Sequence, residues 1–142
     1  MIVSAKTEYA CLAVLELARR SGSTEPVRVR EIAEAQGIPS ASLVQILLQL
    51  KSAGLVNSIR GAGGGYQLAK DPADITLGDV MSVVDGQSGQ IVSNAAVQTP
   101  LTRVLLRTWH QVAATERDLL GNITFADLNQ DLRNQADAMY YI

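Results

Sequence analysis

The chain has 142 residues, of which 47% are apolar, 18% charged and 4% aromatic. That is about one domain's worth of chain, too apolar for a disordered segment, and no apolar run approaches the roughly 20 residues of a membrane span. A single cysteine (Cys11) and a single histidine (His110) exclude an internal disulfide and the usual thiolate–imidazole metal cages. The first residues lack the charged-then-apolar layout of a secretory signal. A soluble, cytoplasmic protein without a membrane partner is expected, its function carried by a surface or a motif.

Net charge is −2, but it is unevenly spread. Residues 28–70 carry Arg28, Arg30, Lys51, Arg60 and Lys70 against Glu31 and Glu34, whereas residues 71–142 carry nine acids against four arginines. A basic middle and an acidic tail are the asymmetry expected when one part of a chain meets phosphates and another does not.

In chain order, Ser4 is placed to cap a first helix over about 5–20, with Ala10, Ala13, Val14, Leu17 and Ala18 at helical spacing. Residues 21–26 read as a loop. A short helix over about 29–36 carries Ile32 and Ala33 and is stopped by Gly37. Ser40 is the expected N-cap of a helix over about 40–53, with Leu43, Ile46, Leu47 and Leu50 as its apolar stripe and Gly54 at its end. Residues 55–59 and 66–69 are strand candidates around the turn Arg60-Gly61-Ala62-Gly63-Gly64-Gly65. Thr76 and Asp79 resemble a capping box that opens a helix to about residue 85.

Residues 86–99 mix Gly, Ser, Gln and Asn with small apolar side chains and read as a loop. The longest helix, over about 100–120, has Pro100 in its first turn and is expected to close at Gly121. Leu101, Leu105, Thr108, Val112, Thr115 and Leu119 recur along it at spacings of four and three, a heptad-like seam. A last helix starts near Thr124.

Three helices followed by a Gly-tipped hairpin make a winged helix-turn-helix arrangement. Ala33 is small where two helices cross, Gly37 permits the turn and Ile38 packs beneath it. The polar side chains Ser40, Ser42, Gln45 and Gln49 are expected to share one side of the third helix and to face a major groove. A solvated helical hairpin would show the same pattern. In the wing, Ala62 is the single side chain among residues 61–65, so the backbone can approach a phosphate chain closely while Arg60 supplies charge.

Gly-rich turns also cradle nucleotides, but Gly65 is followed by Tyr66-Gln67 rather than by the Lys-Ser/Thr of a P-loop. Tyr66 also stands where the dinucleotide fingerprint needs a glycine, and a strand follows where that motif needs a helix. The candidate DNA-binding residues are therefore Arg28, Arg30, Ser40, Ser42, Gln45, Gln49 and Lys51, with the wing positions Arg60, Gly61, Gly63, Gly64, Gly65 and Tyr66.

The run from Ile32-Ala33 through Gly37-Ile38, Leu43, Ile46-Leu47, Leu50, Ala53-Gly54-Leu55-Val56, Ser58, Arg60-Gly61, Gly64-Gly65-Tyr66 and Leu68-Ala69 to Ile75-Thr76 resembles the winged-helix regulators typified by IscR, NsrR and CymR. The resemblance extends to Tyr9, Asp79-Val80, Trp109 and Ile123-Thr124, nearly the whole chain, and is most specific from Gly54 to Ala69. It implies a mainly α fold with a small β-hairpin wing: a winged helix-turn-helix domain over 1–85, a loop over 86–99, and a dimerisation helix with a C-terminal helix over 100–142. It also implies a homodimer that binds double-stranded DNA at a palindromic operator. A winged-helix module docking another protein remains the alternative.

Many such regulators hold an iron–sulfur cluster on three cysteines in the loop that corresponds to about 86–103. This chain has no cysteine or histidine there, and Arg103 and Leu106 stand where cluster-binding relatives place a cysteine and often a histidine. Glu8, which matches a carboxylate ligand of some relatives, cannot hold a cluster without thiolates and reads as a surface or capping-turn acid. No cofactor and no metal site are expected, and an effector or partner protein is left unidentified.

Cys11, among apolar neighbours, reads as a small buried hydrophobe and His110 as structural. Trp109 reads as an interface or core anchor and the aspartates of the tail as a solvated face. No nucleophile–base pair is legible, so no catalytic residues are expected.

Overall fold

The structure, a computed structural model, describes residues 1–86 and 91–140, with side chains to residue 138. The expected loop over 86–99 therefore lies partly outside the described residues. The order is α1 (Ala5–Arg19), α2 (Val29–Gln36), α3 (Ser40–Ser52), β1 (Val56–Ile59), β2 (Gly65–Leu68), a 3₁₀ turn (Pro72–Asp74), α4 (Leu77–Asp85), α5 (Pro100–Asn122) and α6 (Phe125–Tyr140). The chain is mainly helical with one antiparallel hairpin, in register Val56 to Leu68 and Ile59 to Gly65.

Local signals account for most boundaries. Ser4 Oγ accepts the Thr7 N–H at 3.1 Å, and Gly37 takes a left-handed conformation (φ 66°) that ends α2. Thr76 and Asp79 form the reciprocal capping box at 3.0 Å in each direction. Thr124 and Asp127 repeat that pairing at the start of α6.

Two expected boundaries are corrected. Ser40 is not an N-cap. The Pro39 carbonyl already accepts the Leu43 N–H at 3.0 Å, so Pro39 takes that position and Ser40 is the first helical residue, with no side-chain cap. Gly121 does not close α5, which runs on to Asn122. The helix stops where the chain turns extended to pair with the segment before α4. The Ile123 carbonyl accepts the Leu77 N–H at 2.9 Å, Thr124 bridges Thr76, and the Phe125 N–H donates to the Ile75 carbonyl at 2.9 Å. Two small elements had no sequence signal: the 3₁₀ turn, and an isolated antiparallel bridge from Val27 to Tyr66 on the open side of β2.

The core is the meeting of the predicted stripes. Ala10, Ala13, Val14 and Leu17 of α1 face Leu43, Ile46, Leu47 and Leu50 of α3, with Ile32 and Ala33 of α2 and Ile38 closing one end. Val56, Ile75, Val80 and Phe125 complete it, and Phe125 is the largest fully buried side chain. Cys11 packs half-buried against this core, and burial together with the charge of Asp85 pushes its thiol up to about 11. That disfavours the thiolate, the reactive form, near neutral pH.

One buried charge escaped the sequence reading. Glu16 is only 3% exposed. Arg19 Nη2 donates to its Oε1 at 2.7 Å, Arg20 Nη2 lies 2.9 Å from the same oxygen, and Gln36 Nε2 donates to Oε2 at 3.2 Å. Arg20 also reaches Glu31 at 2.9 Å, so the cluster ties the end of α1 to α2. Burial raises the Glu16 carboxyl, but the hydrogen bonds and charges of Arg19 and Arg20 outweigh it and hold the group below its usual range.

A depressed carboxylate contributes stability above its unfolded pKa, near 4.3, which is lost as pH falls through the lower folded value. Glu16→Gln is expected to cost about 1 kcal/mol at neutral pH, since both arginine heads reach solvent. Urea melts of both proteins from about pH 6 to about pH 3 should show that difference shrinking toward the acid end. A difference independent of pH would contradict the ionised pairing.

Candidate nucleic-acid interface

The side of α3 away from the core is set by geometry. At roughly 100° per residue, the direction opposite Leu43, Ile46, Leu47 and Leu50 is occupied by Ala41, Val44, Gln45 and Leu48. All four are exposed. Ser42 and Gln45 line a cleft of about 330 Å³ with Ala5, Lys6, Tyr9 and Ile46, which places the Lys6 cation at the border of α3. Lys6 had no signal in the sequence, because only the packing of α1 beside α3 brings it there.

The expected polar face is corrected at two positions. Ser40 lies roughly 200° around the helix from Ser42 and does not share a side with Ser42, Gln45 and Gln49. Gln49 is half-buried, and its side-chain oxygen is enclosed without a hydrogen-bond partner rather than turned outward. Lys51 is exposed in the last turn of α3.

In the wing, Arg60 is exposed and has no carboxylate partner among the described residues. The tip closes through a Gly64 N–H donating to the Gly61 carbonyl at 3.0 Å. Arg28 Nη2 donates to the Ala62 carbonyl, so this arginine braces the wing tip as well as adding charge to it. Arg30, on α2, is 86% exposed but paired with Glu34 at 2.9 Å.

The glycines divide into two kinds. A Cβ at Gly61 or Gly63 would meet nothing within 4 Å, so space remains there for a phosphate chain. A Cβ at Gly64 would lie 2.2 Å from the Ile59 carbonyl oxygen and one at Gly65 2.4 Å from that of Val27. Gly64 and Gly65 are therefore required by the hairpin's own packing, whatever else their backbone meets. Tyr66 is also tied into the fold. Its backbone pairs with Val27 at 2.7 and 2.8 Å, it faces Ser58 across the hairpin, and its side chain packs half-buried against the core.

The seam of α5 stands open. None of the helix's 23 residues is buried, and Leu101, Leu105, Val112 and Leu119 are exposed together with Val104 and Trp109 on the same side. Thr108 and Thr115 donate their hydroxyls to the Val104 and Gln111 carbonyls at 3.0 and 3.1 Å, so the seam's polar groups are satisfied internally. His110 Nε2 donates to the Ile91 carbonyl at 3.0 Å and pins the preceding loop to α5, a structural role. Glu8 is exposed in the first turn of α1, where it complements the helix dipole. Among the described residues no three potential metal ligands come together, and no helix is long and apolar enough to cross a membrane.

Residues 3–131 match the family model Rrf2, described as an iron-dependent transcriptional regulator. The HTH-type transcriptional regulator IscR of Vibrio cholerae is 37% identical over 133 residues, covering 92% of this chain and 76% of that protein. Among solved structures, IscR of T. potens superposes with a TM-score of 0.76 at 36% identity, covering 93% of this chain and 88% of that one. CymR, the global cysteine regulator of B. subtilis, gives 0.78 at 32% identity, covering 92% and 97%. These relatives are regulators rather than enzymes, and the fold they share is the winged helix described above. The chain belongs to the Rrf2 family of DNA-binding transcriptional regulators.

Proposed function

We propose that the chain regulates transcription as a homodimer on a two-fold-symmetric duplex site. Helix α3 of each protomer enters the major groove, and the wing tip lies on the adjacent backbone or minor groove. The observation that carries the DNA reading is the exposed side of α3 bordered by Lys6 and accompanied by a glycine-opened wing with Arg28 and Arg60 at its tip. Fixed cations beside a helix free to enter a groove are what phosphate positioning and base readout need together.

The dimer reading rests on α5. A helix of 23 residues whose apolar stripe has no buried side chain leaves that stripe uncovered in the protomer, and a second copy of the same stripe would cover it. Purified protein mixed with sheared genomic DNA of its source should enrich a discrete set of fragments that share an inverted repeat. The half-sites should lie about one helical turn or a multiple apart. Recovery of fragments in proportion to their abundance would overturn the reading and turn attention to protein docking.

The family's description as iron-dependent does not extend to this chain's donor set. The segment 86–103 supplies neither thiolate nor imidazole, and Cys11, half-buried on α1 with its thiol held protonated, is the chain's one cysteine. We propose that it senses its signal without a cluster of its own. Protein prepared without oxygen should be colourless, and a visible band with stoichiometric iron and sulfide would contradict this.

A further inference from the structure

The centre of the α3 reading surface is apolar, and this has a consequence for which bases it selects. Val44 is 41% and Leu48 47% exposed, one turn apart, with the Gln45 amide beside them. An isolated exposed leucine needs no explanation. Here, however, two branched aliphatic side chains occupy the first three turns of the helix whose opposite side is fully buried. Among the described residues, both side chains are left exposed. The groove beside Leu48 is open and shared with Gln45, Gln49, Ser52 and Val83. The apolar seam of α5 lies on a separate helix, which packs against α4.

Resting on the DNA reading above, we propose that Val44, supported by Leu48, reads the C5-methyl groups of thymines in each half-site. Thymine is the base that offers a methyl in the major groove, and apolar side chains are its complement there. The surroundings fit that occupant: Lys6 borders one side of the helix for phosphate, and the exposed Gln45 amide next to Val44 has the donor and acceptor an adenine edge pairs with. A helix of this kind selects A·T pairs with a defined orientation, since reversing the pair moves the methyl across the groove.

The test uses the full-length protein and a duplex site selected from a random library. Thymines are replaced one at a time by deoxyuracil, which keeps the base pair and removes only the methyl. Wild-type protein should lose roughly three- to five-fold in affinity at one or two thymines per half-site, the worth of a buried methyl group. Val44→Ala, on an exposed helical position where alanine is well tolerated, should bind thymine and uracil equally at the position it reads.

Indifference of the wild-type protein to every uracil, or full discrimination retained by both Val44→Ala and Leu48→Ala, would overturn the assignment while leaving DNA binding intact. A protein that selects no duplex at all would overturn the DNA reading itself and this assignment with it.

Discussion

If the proposed α5 homodimer is the state in solution, Leu105→Glu is expected to convert it to monomer at micromolar concentration, read by light scattering or sedimentation. Leu105 is 51% exposed in the protomer, so the substitution leaves the core of Leu43, Ile46, Leu47 and Phe125 untouched. In a dimer joined along the α5 seam, each copy would instead lose an apolar contact and place a carboxylate where Val104, Trp109 and Val112 gather. Taking an unpaired charge out of water costs several kcal/mol, and a two-fold interface incurs that cost twice.

The dimer dissociation constant should rise by roughly three orders of magnitude or more, about 4 kcal/mol. The urea midpoint should also stop depending on protein concentration. Arg117→Glu, roughly on the opposite side of α5, is the matched control and should leave the dimer intact. A Leu105→Glu protein that remains dimeric would place the interface elsewhere.

Arg60→Ala and Gln45→Ala are expected to weaken DNA binding in different ways. Arg60 has no carboxylate partner among the described residues and stands beside the open Gly61–Gly63 turn, a position suited to a phosphate. Its loss should weaken binding to all sequences and reduce the slope of log affinity against log salt by about 1 per protomer. Gln45 is exposed on the outward side of α3, and its amide can pair bidentately with adenine. Its loss should cost roughly 1–3 kcal/mol on the selected site and relax one position per half-site, with the salt slope nearly unchanged. Salt titrations of both variants on matched and scrambled duplexes make the comparison. Equal losses on every sequence with unchanged slopes would show that neither residue meets DNA as assigned.

What the sequence determined by itself is the content of its short-range signals. Ser4, Gly37, Thr76 with Asp79, and Thr124 with Asp127 act on backbone groups a few residues away, so their effects survive without knowledge of the rest of the chain. The aliphatic stripe of α3 and the seam of α5 are of the same kind, because helical periodicity fixes which side chains line up. The rotation of Ser40 away from Ser42 also follows from that periodicity alone. The run from Gly54 to Ala69 carried the family.

Tertiary structure alone decided the properties that depend on two distant segments meeting. Gly64 and Gly65 are glycine because the Ile59 and Val27 carbonyls press on them. Tyr66 packs half-buried against the core because its strand pairs with Val27, thirty-nine positions earlier in the chain. Glu16 is buried yet ionised because Arg19, Arg20 and Gln36 converge on it from two helices. The end of α5 was set by pairing with Ile75 and Leu77 rather than by Gly121.

The same holds for the reading surface. A polar residue on α3 is outward or enclosed according to what α1 and α4 place beside it, which is why Gln45 is exposed, Gln49 is half-buried with its amide oxygen enclosed, and Lys6 joins the interface. Side-chain chemistry is local, but exposure is a property of the assembled fold, and DNA can be read only by side chains the fold leaves exposed.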